Sequence, residues 1–364
     1  MLFRRSAGHV GLLDFPRLLA VRRDAARRAR LFNEPSLTYL FWESTLRCNL
    51  RCAHCGSSCE ARTPLEELKT AEVLRIVDSI AEDFDAKRIF VSITGGEPLL
   101  RDDLYEVVER MTKHGMRSCV VTNGTLLGPE QAKRLYDAGM RTVSVSVDGL
   151  EESHEAVRGK NTWRRALAGI GAARAAGMRT VEAITCVRPA NLKELSRIEA
   201  VVREAGAHLY RVITIDRMGR LGSGVGELWL EPPQVRELLD WVEERRRATA
   251  AVRFSCGGFL GVRRELAVRP GDGQCFAGLC VASILADGQV GACPSLPRDW
   301  AQGSAREERF STIWRTKFQK YRDTSWRREG PCADCSLFPI CLGGGLHERL
   351  AQPDAFCWID RQDG

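Results

Sequence analysis

From residue 37 onward, short apolar runs alternate with longer segments whose apolar positions recur every three or four residues. The runs at 37–42, 88–93, 118–122, 142–147, 179–187 and 208–215 are rich in β-branched and aromatic residues and predict strands. The segments at 70–83, 102–114, 129–138, 162–176 and 191–205 predict helices; in the first, Val73, Leu74, Ile76, Val77 and Ile80 share one side. Gly115, Gly139 and Gly177 close three of these helices. Six strands alternating with helices imply parallel strands and right-handed crossovers, in a wound sheet or a partial barrel. In both, ligands gather at the carboxyl ends of the strands.

The flanks differ. Residues 1–35 form a basic leader with a helix at 16–32, whose apolar positions are Leu18, Leu19, Val21, Leu31 and Phe32; it reads as a packed, solvated capping helix. A helix at 231–247 ends the alternation, and the glycine-rich stretch 219–226 before it reads as a flexible connection rather than a phosphate loop. From about 256 the chain carries Cys, Gly and Pro with only short regular segments. Such a segment lacks apolar mass for a core of its own, so a small metal-stabilised domain is expected. The expected division is a leader at 1–35, an α/β core at 36–255 and a Cys-rich domain at 256–364.

No apolar run approaches the ~18 residues of a membrane span, and no secretory segment follows the start, so a cytoplasmic protein without a membrane span is expected. The net charge of +7 comes without an aromatic-interleaved basic stripe, so no nucleic-acid partner is expected. The 14 cysteines change the picture most. Without a secretory signal, tight Cys spacings point to metal or redox chemistry rather than disulfides. They fall into two groups, Cys48 to Cys59 and Cys256 to Cys357; Cys119 and Cys186, in apolar runs between them, read as core thiols.

The first predicted strand leads into Cys48-Asn49-Leu50-Arg51-Cys52-Ala53-His54-Cys55, a C-x3-C-x2-C spacing. Three thiolates on one loop can hold three irons of a four-iron cluster and leave the fourth open to a chelating molecule. Gly95-Gly96-Glu97-Pro98 follows the second strand, Thr122-Asn123-Gly124 ends the third, Ser144 to Gly149 ends the fourth, and Arg158 lies ten residues beyond Asp148. In this order the segments resemble those of the radical S-adenosylmethionine (SAM) superfamily over residues 37 to about 215. The resemblance implies an α/β fold, a partial (β/α)6 barrel carrying a small C-terminal Cys-rich iron–sulfur domain. It implies that Cys48, Cys52 and Cys55 ligate the SAM-binding [4Fe-4S] cluster, and that Gly95, Gly96, Glu97, Pro98, Asn123, Ser146, Asp148 and Arg158 contact SAM. Cys59 is extra to the motif and reads as a spare thiol; His54 reads as packing beside the cluster.

The late group reads Cys275-x4-Cys280-x12-Cys293, then Cys332-x2-Cys335-x5-Cys341, then Cys357. It resembles the SPASM extension, named for maturases of subtilosin, pyrroloquinoline quinone, anaerobic sulfatase and mycofactocin. The resemblance implies one or two auxiliary [4Fe-4S] clusters, the second held by Cys332, Cys335, Cys341 and Cys357. Gly345 stands where that pattern has a cysteine, which leaves Cys275, Cys280 and Cys293 for the first. Its fourth ligand is then Cys256, His347, water or substrate. Structural zinc at Cys332–Cys357 is the competing reading.

The implied activity is reductive cleavage of SAM to a 5′-deoxyadenosyl radical, which takes hydrogen from a substrate carbon. The implied electron donor is a flavodoxin or ferredoxin. A peptide or protein undergoing maturation is the first substrate expectation, with a separate leader-binding protein as a further partner. A small molecule in cofactor, haem or sugar-alcohol metabolism is the second. A non-catalytic iron–sulfur or zinc protein is an alternative of another class, against which the run of SAM-binding motifs weighs.

Overall fold

The computed structural model describes residues 15–221, 228–255, 257–269, 275–351, 353 and 357–359. Within them, the expected alternation folds as β1 (Tyr39–Thr45), β2 (Phe90–Gly95), β3 (Arg117–Thr122), β4 (Thr142–Ser146), β5 (Thr180–Val187) and β6 (Leu209–Thr214). Each strand pairs in parallel with the next, so the winding never reverses and the sheet forms the arc of a partial barrel. Val91, Ile93, Val120, Val143, Val145, Val181 and Ala183 are fully buried along it. Leu104, Val107 and Val108, Ala132 and Leu135, and Ala166 and Ile170 are buried from three successive crossover helices.

The sheet is wider than the sequence pattern suggests. Among the described residues its order is β7-β6-β5-β4-β3-β2-β1-β8-β9. Strand β7 (Val252–Phe254) extends the parallel run beyond β6, and its three residues are too few to show a period. On the other edge, β8 (Val281–Ile284) pairs in parallel with β1, and β9 (Val290–Gly291) pairs antiparallel with β8. Both come from the Cys-rich segment. That segment also brings Phe310, Ile313, Trp314, Phe318 and Tyr321 into the main core, so it shares a hydrophobic core with the sheet rather than lacking one. A helix that the pattern did not predict, Glu151–Arg158, follows β4 and ends on Arg158.

The leader helix spans Phe15–Asn33. It packs against the helices Val262–Val268 and Phe338–Cys341. Val21 and Arg28 are buried, and the Arg28 guanidinium donates to the Ile340 carbonyl.

Candidate active site

Strand ends on the concave side of the arc share one cavity of about 710 Å³. Phe41 and Glu43 of β1, Thr94 and Gly95 of β2, Val121 of β3, Ser146 of β4, Cys186 of β5 and Ile213 of β6 all line it. In β1 side-chain alternation explains this, because Trp42 between Phe41 and Glu43 faces the helix side. The predicted residues Cys48, Cys52, Cys55, Gly95, Gly96, Asn123, Ser146 and Arg158 meet on its wall. Pro294 to Pro297, His347 and Ala351 approach from the Cys-rich side.

The cluster loop is seated by backbone contacts. The register of β1 against β2 shifts between Glu43 and Thr45, just before the loop begins. A Cβ on Gly95 would lie 2.2 Å from the Thr45 carbonyl oxygen, and one on Gly96 would lie 2.1 Å from that of Arg47. The two glycines therefore let β2 pass under the start of the loop. The Cys48 sulfur accepts from the Leu50 N–H at 3.4 Å, and the Cys55 sulfur from the Cys59 N–H at 3.4 Å. Burial pushes the Cys48 thiol up to about 11, while a hydrogen bond from the Cys59 thiol draws Cys55 down and holds Cys59 up.

Arg220 was not foreseen. Its N–H donates to the Cys55 carbonyl at 3.0 Å, and its guanidinium donates to the carbonyls of Cys52 (3.1 Å) and Cys59. A Cβ on Gly219 would meet the Gly56 oxygen at 2.1 Å. Residues 219–221 thus clamp the cluster loop; the rest of the glycine-rich stretch, 222–226, lies outside the described residues.

Glu97, Pro98 and Asp148 lie behind the wall rather than on it. The Glu97 carboxylate accepts from the Thr122 hydroxyl (2.7 Å), the Asn123 N–H (2.8 Å) and the Leu99 N–H (3.2 Å), tying β2 to β3. Burial pushes its pKa up, with these bonds opposing. Asp148 is fully buried and accepts from Arg158 Nε at 2.5 Å and the Cys186 N–H at 2.8 Å, with His54 Nε2 at 2.9 Å. Burial pulls the Asp148 pKa up, yet Arg158 and His54 outweigh it and hold it far below the usual carboxylate range. Arg158 in turn reaches the Cys52 sulfur at 3.9 Å. Cys186, read from sequence as a core thiol, opens onto the cavity, whereas Cys119 is buried.

Of the late cysteines, four come together and the others are less closely grouped. Cys332, Cys335, Cys341 and Cys357 line one small cavity with Phe259, Phe338 and Trp358. Cys275 lines another with Cys341 and Gly344, Cys280 lies within electrostatic reach of Cys275, and Cys293 within that of Tyr321. Cys256 is outside the described residues. His347 is turned to Asp216, Nε2 to Oδ2 at 3.2 Å, on the main cavity. A Cβ on Gly345 would stand 2.7 Å from Glu348 Oε2, so the Glu348 carboxylate fills the space a side chain there would need.

The donors are cysteine thiolates, the ligand type that iron–sulfur clusters take. Tetrahedral zinc, with Zn–S of about 2.3 Å, brings its sulfurs to about 3.8 Å of one another. Among the described residues, no three cysteine sulfurs lie within 4.8 Å of each other.

A partial barrel with three cysteines of one loop at its open end, and a cysteine-rich extension on its edge, defines a radical SAM enzyme. The chain belongs to the radical SAM superfamily: that family's profile matches residues 42–201, and the profile of the SPASM iron-sulfur cluster-binding domain matches residues 275–336. It is 31% identical over 330 residues to the AdoMet-dependent heme synthase of Methanosarcina barkeri, covering 85% of this chain and 91% of the relative. It is 32% identical over 331 residues to the mycofactocin maturase MftC of Mycolicibacterium smegmatis, covering 87% and 82%. The solved structure of native anSMEcpe with bound AdoMet and Cp18Cys peptide superposes with a TM-score of 0.70 at 18% identity, covering 90% of this chain and 94% of that one. SAM and [4Fe-4S] clusters are accordingly its cofactors. Among the described residues, no helix is long and apolar enough to cross a membrane.

Proposed function

We propose that this enzyme modifies a peptide or protein, one residue at a time, by hydrogen abstraction in the cavity above the cluster loop. The similarity to a maturase carries the reading, and the cavity has the size it needs. SAM alone needs a pocket of at least ~300 Å³. The 710 Å³ cavity therefore leaves room for a substrate group beside SAM. The similarity to a mycofactocin maturase supports a peptide.

In this reading Cys48, Cys52 and Cys55 hold the SAM cluster, and Arg220 fixes the loop that carries them. Gly95, Gly96, Asn123, Ser146 and Arg158 surround SAM directly. Glu97, Pro98 and Asp148 act from behind, Asp148 by orienting Arg158. Bound there, SAM and the reduced cluster supply a 5′-deoxyadenosyl radical. Cys275, Cys280 and Cys293, and separately Cys332, Cys335, Cys341 and Cys357, hold the auxiliary clusters. A flavodoxin or ferredoxin reduces the SAM cluster in the cytoplasm, and a separate leader-binding protein presents the peptide.

The 31% identity to a heme synthase and the cationic Arg217 on the cavity wall favour a second reading, a carboxylate-bearing porphyrin substrate. Anaerobic turnover with SAM and dithionite separates the two. Peptides encoded beside the gene and an iron porphyrin bearing propionates are each offered, and products are read by mass. A mass change in a peptide alone is expected; a change in the porphyrin alone would overturn the peptide reading.

A further inference from the structure

The helix Phe15–Asn33 turns its apolar residues inward and most of its arginines outward. Val21 is buried and Leu31 and Phe32 are half-buried, whereas Arg22, Arg23, Arg27 and Arg30 are exposed. At 3.6 residues per turn, Arg23, Arg27 and Arg30 form one row and Arg22 flanks it. None of the four is in an ion pair with a described residue. The helix's one acid, Asp24, is half-buried off that row, and Glu34 is exposed just beyond the helix end. Leu19, 52% exposed, lies on the same face and is the one exposed large apolar side chain among the described residues. From Leu19 to Arg30 the face runs about 16 Å.

Cysteines of the extension lie close to this helix. It packs on the helix Phe338–Cys341. Phe32 lines a small cavity with Cys275 and Cys341, and Arg27 is within electrostatic reach of Cys280. A row of cations attracts an acidic partner from solution and speeds their encounter in a salt-dependent way. A single apolar side chain amid charges suits the small, transient contacts of electron-carrier proteins, below about 1,200 Å² in all. It does not suit a membrane surface, in which a helix buries a whole apolar face; here that face is packed on the protein.

We propose that Leu19, Arg22, Arg23, Arg27 and Arg30 form the docking face for an acidic one-electron carrier protein, which exchanges electrons there with an auxiliary cluster of the extension. The arginines steer and seat the carrier and are not ligands of iron. The proposal rests on the reading that the late cysteines hold clusters, and the test separates the two.

The experiment uses full-length protein carrying Cys48→Ala, Cys52→Ala and Cys55→Ala, which removes the SAM cluster, with the remaining clusters reconstituted anaerobically. This parent is reduced with limiting dithionite and mixed with oxidised flavodoxin, an acidic flavoprotein. One electron leaves a 1+ core and returns it to 2+; the flavin takes that electron with a proton from water and becomes the neutral semiquinone, read by its absorbance. The rate is expected to fall about tenfold between about 50 and 500 mM salt. Arg22→Gln, Arg23→Gln and Arg30→Gln together are expected to be about tenfold slower at low salt and nearly insensitive to salt, while the three Lys replacements keep most of the rate. Arg27 is left in place because it is close to Cys280. An uncharged quinone, which needs no docking, should oxidise all three proteins equally. A Gln variant with the parent's rate and salt response overturns the proposal. So does slowing with flavodoxin and the quinone alike, which would mean altered clusters. Loss of binding to phosphatidylserine vesicles in the Gln variant, with oxidation by flavodoxin unchanged, would mark the face for a membrane and overturn the proposal too. If the reconstituted parent takes up no electron from dithionite, the cluster reading itself fails, and the proposal with it.

Discussion

His154 stands beside the buried Asp148 carboxylate and is itself held neutral. It is fully buried, and its Nδ1 accepts the Asp148 N–H at 3.0 Å, so the ring is neutral. Burial pulls its pKa from 6.5 down to about 4, against the attraction of Asp148. Its folded pKa lies below the unfolded one, so its stabilisation is present above pH 6.5 and is lost as the pH falls through that window toward 4. Asp148, also depressed, adds to the loss only below the ordinary carboxylate range. At 1.36 kcal/mol per unit, the His154 part is up to about 3 kcal/mol. Urea denaturation of wild-type and His154→Gln protein, matched for iron, checks this. The wild-type should lose that much more stability between pH 6.5 and 4, and parallel curves would contradict it. At this scale the cysteines were legible because covalent spacing holds them together. Arg220 and Cys186 were not: one reaches the site from a turn after β6 and the other from the end of β5, and nothing beside them in the chain marks the destination.

Among the elements, the six central strands and their crossover helices were legible because each buries one periodic face. Strand β7 and the helix Glu151–Arg158 were not, the first being three residues long and the second having only His154 and Val157 buried. The glycine motif after β2 was legible as a motif, but its geometry gives it a structural reason as well. Gly96 has ordinary backbone angles, so its lack of a side chain answers to space: a Cβ would overlap the Arg47 carbonyl. Backbone cannot swing away as a side chain can. Gly96→Ala is therefore expected to cost about 1–3 kcal/mol and to displace the cluster loop. Thermal unfolding together with iron content after reconstitution reads both effects. A variant with wild-type melting and full iron would show that the contact is not a constraint.

For the whole molecule, the Cys-rich segment was legible as iron–sulfur chemistry but not as a continuation of the sheet. Parallel pairing of β8 with β1, and the aromatic residues from Phe310 to Tyr321 in the main core, connect distant sequence and leave no local period. The result is that one end of the barrel faces Cys48, Cys52 and Cys55 while the extension supplies Pro294 to Pro297 and His347 to the same cavity. Electron transfer and hydrogen abstraction can then share one cavity. The central claim is that the three cysteines of the loop make SAM cleavage possible. The most direct measurement is 5′-deoxyadenosine formed anaerobically from SAM and dithionite by reconstituted wild-type protein and by the Cys48→Ala, Cys52→Ala, Cys55→Ala variant. The wild-type is expected to form it, and the variant to form none while keeping its auxiliary iron; undiminished 5′-deoxyadenosine from the variant would contradict the assignment.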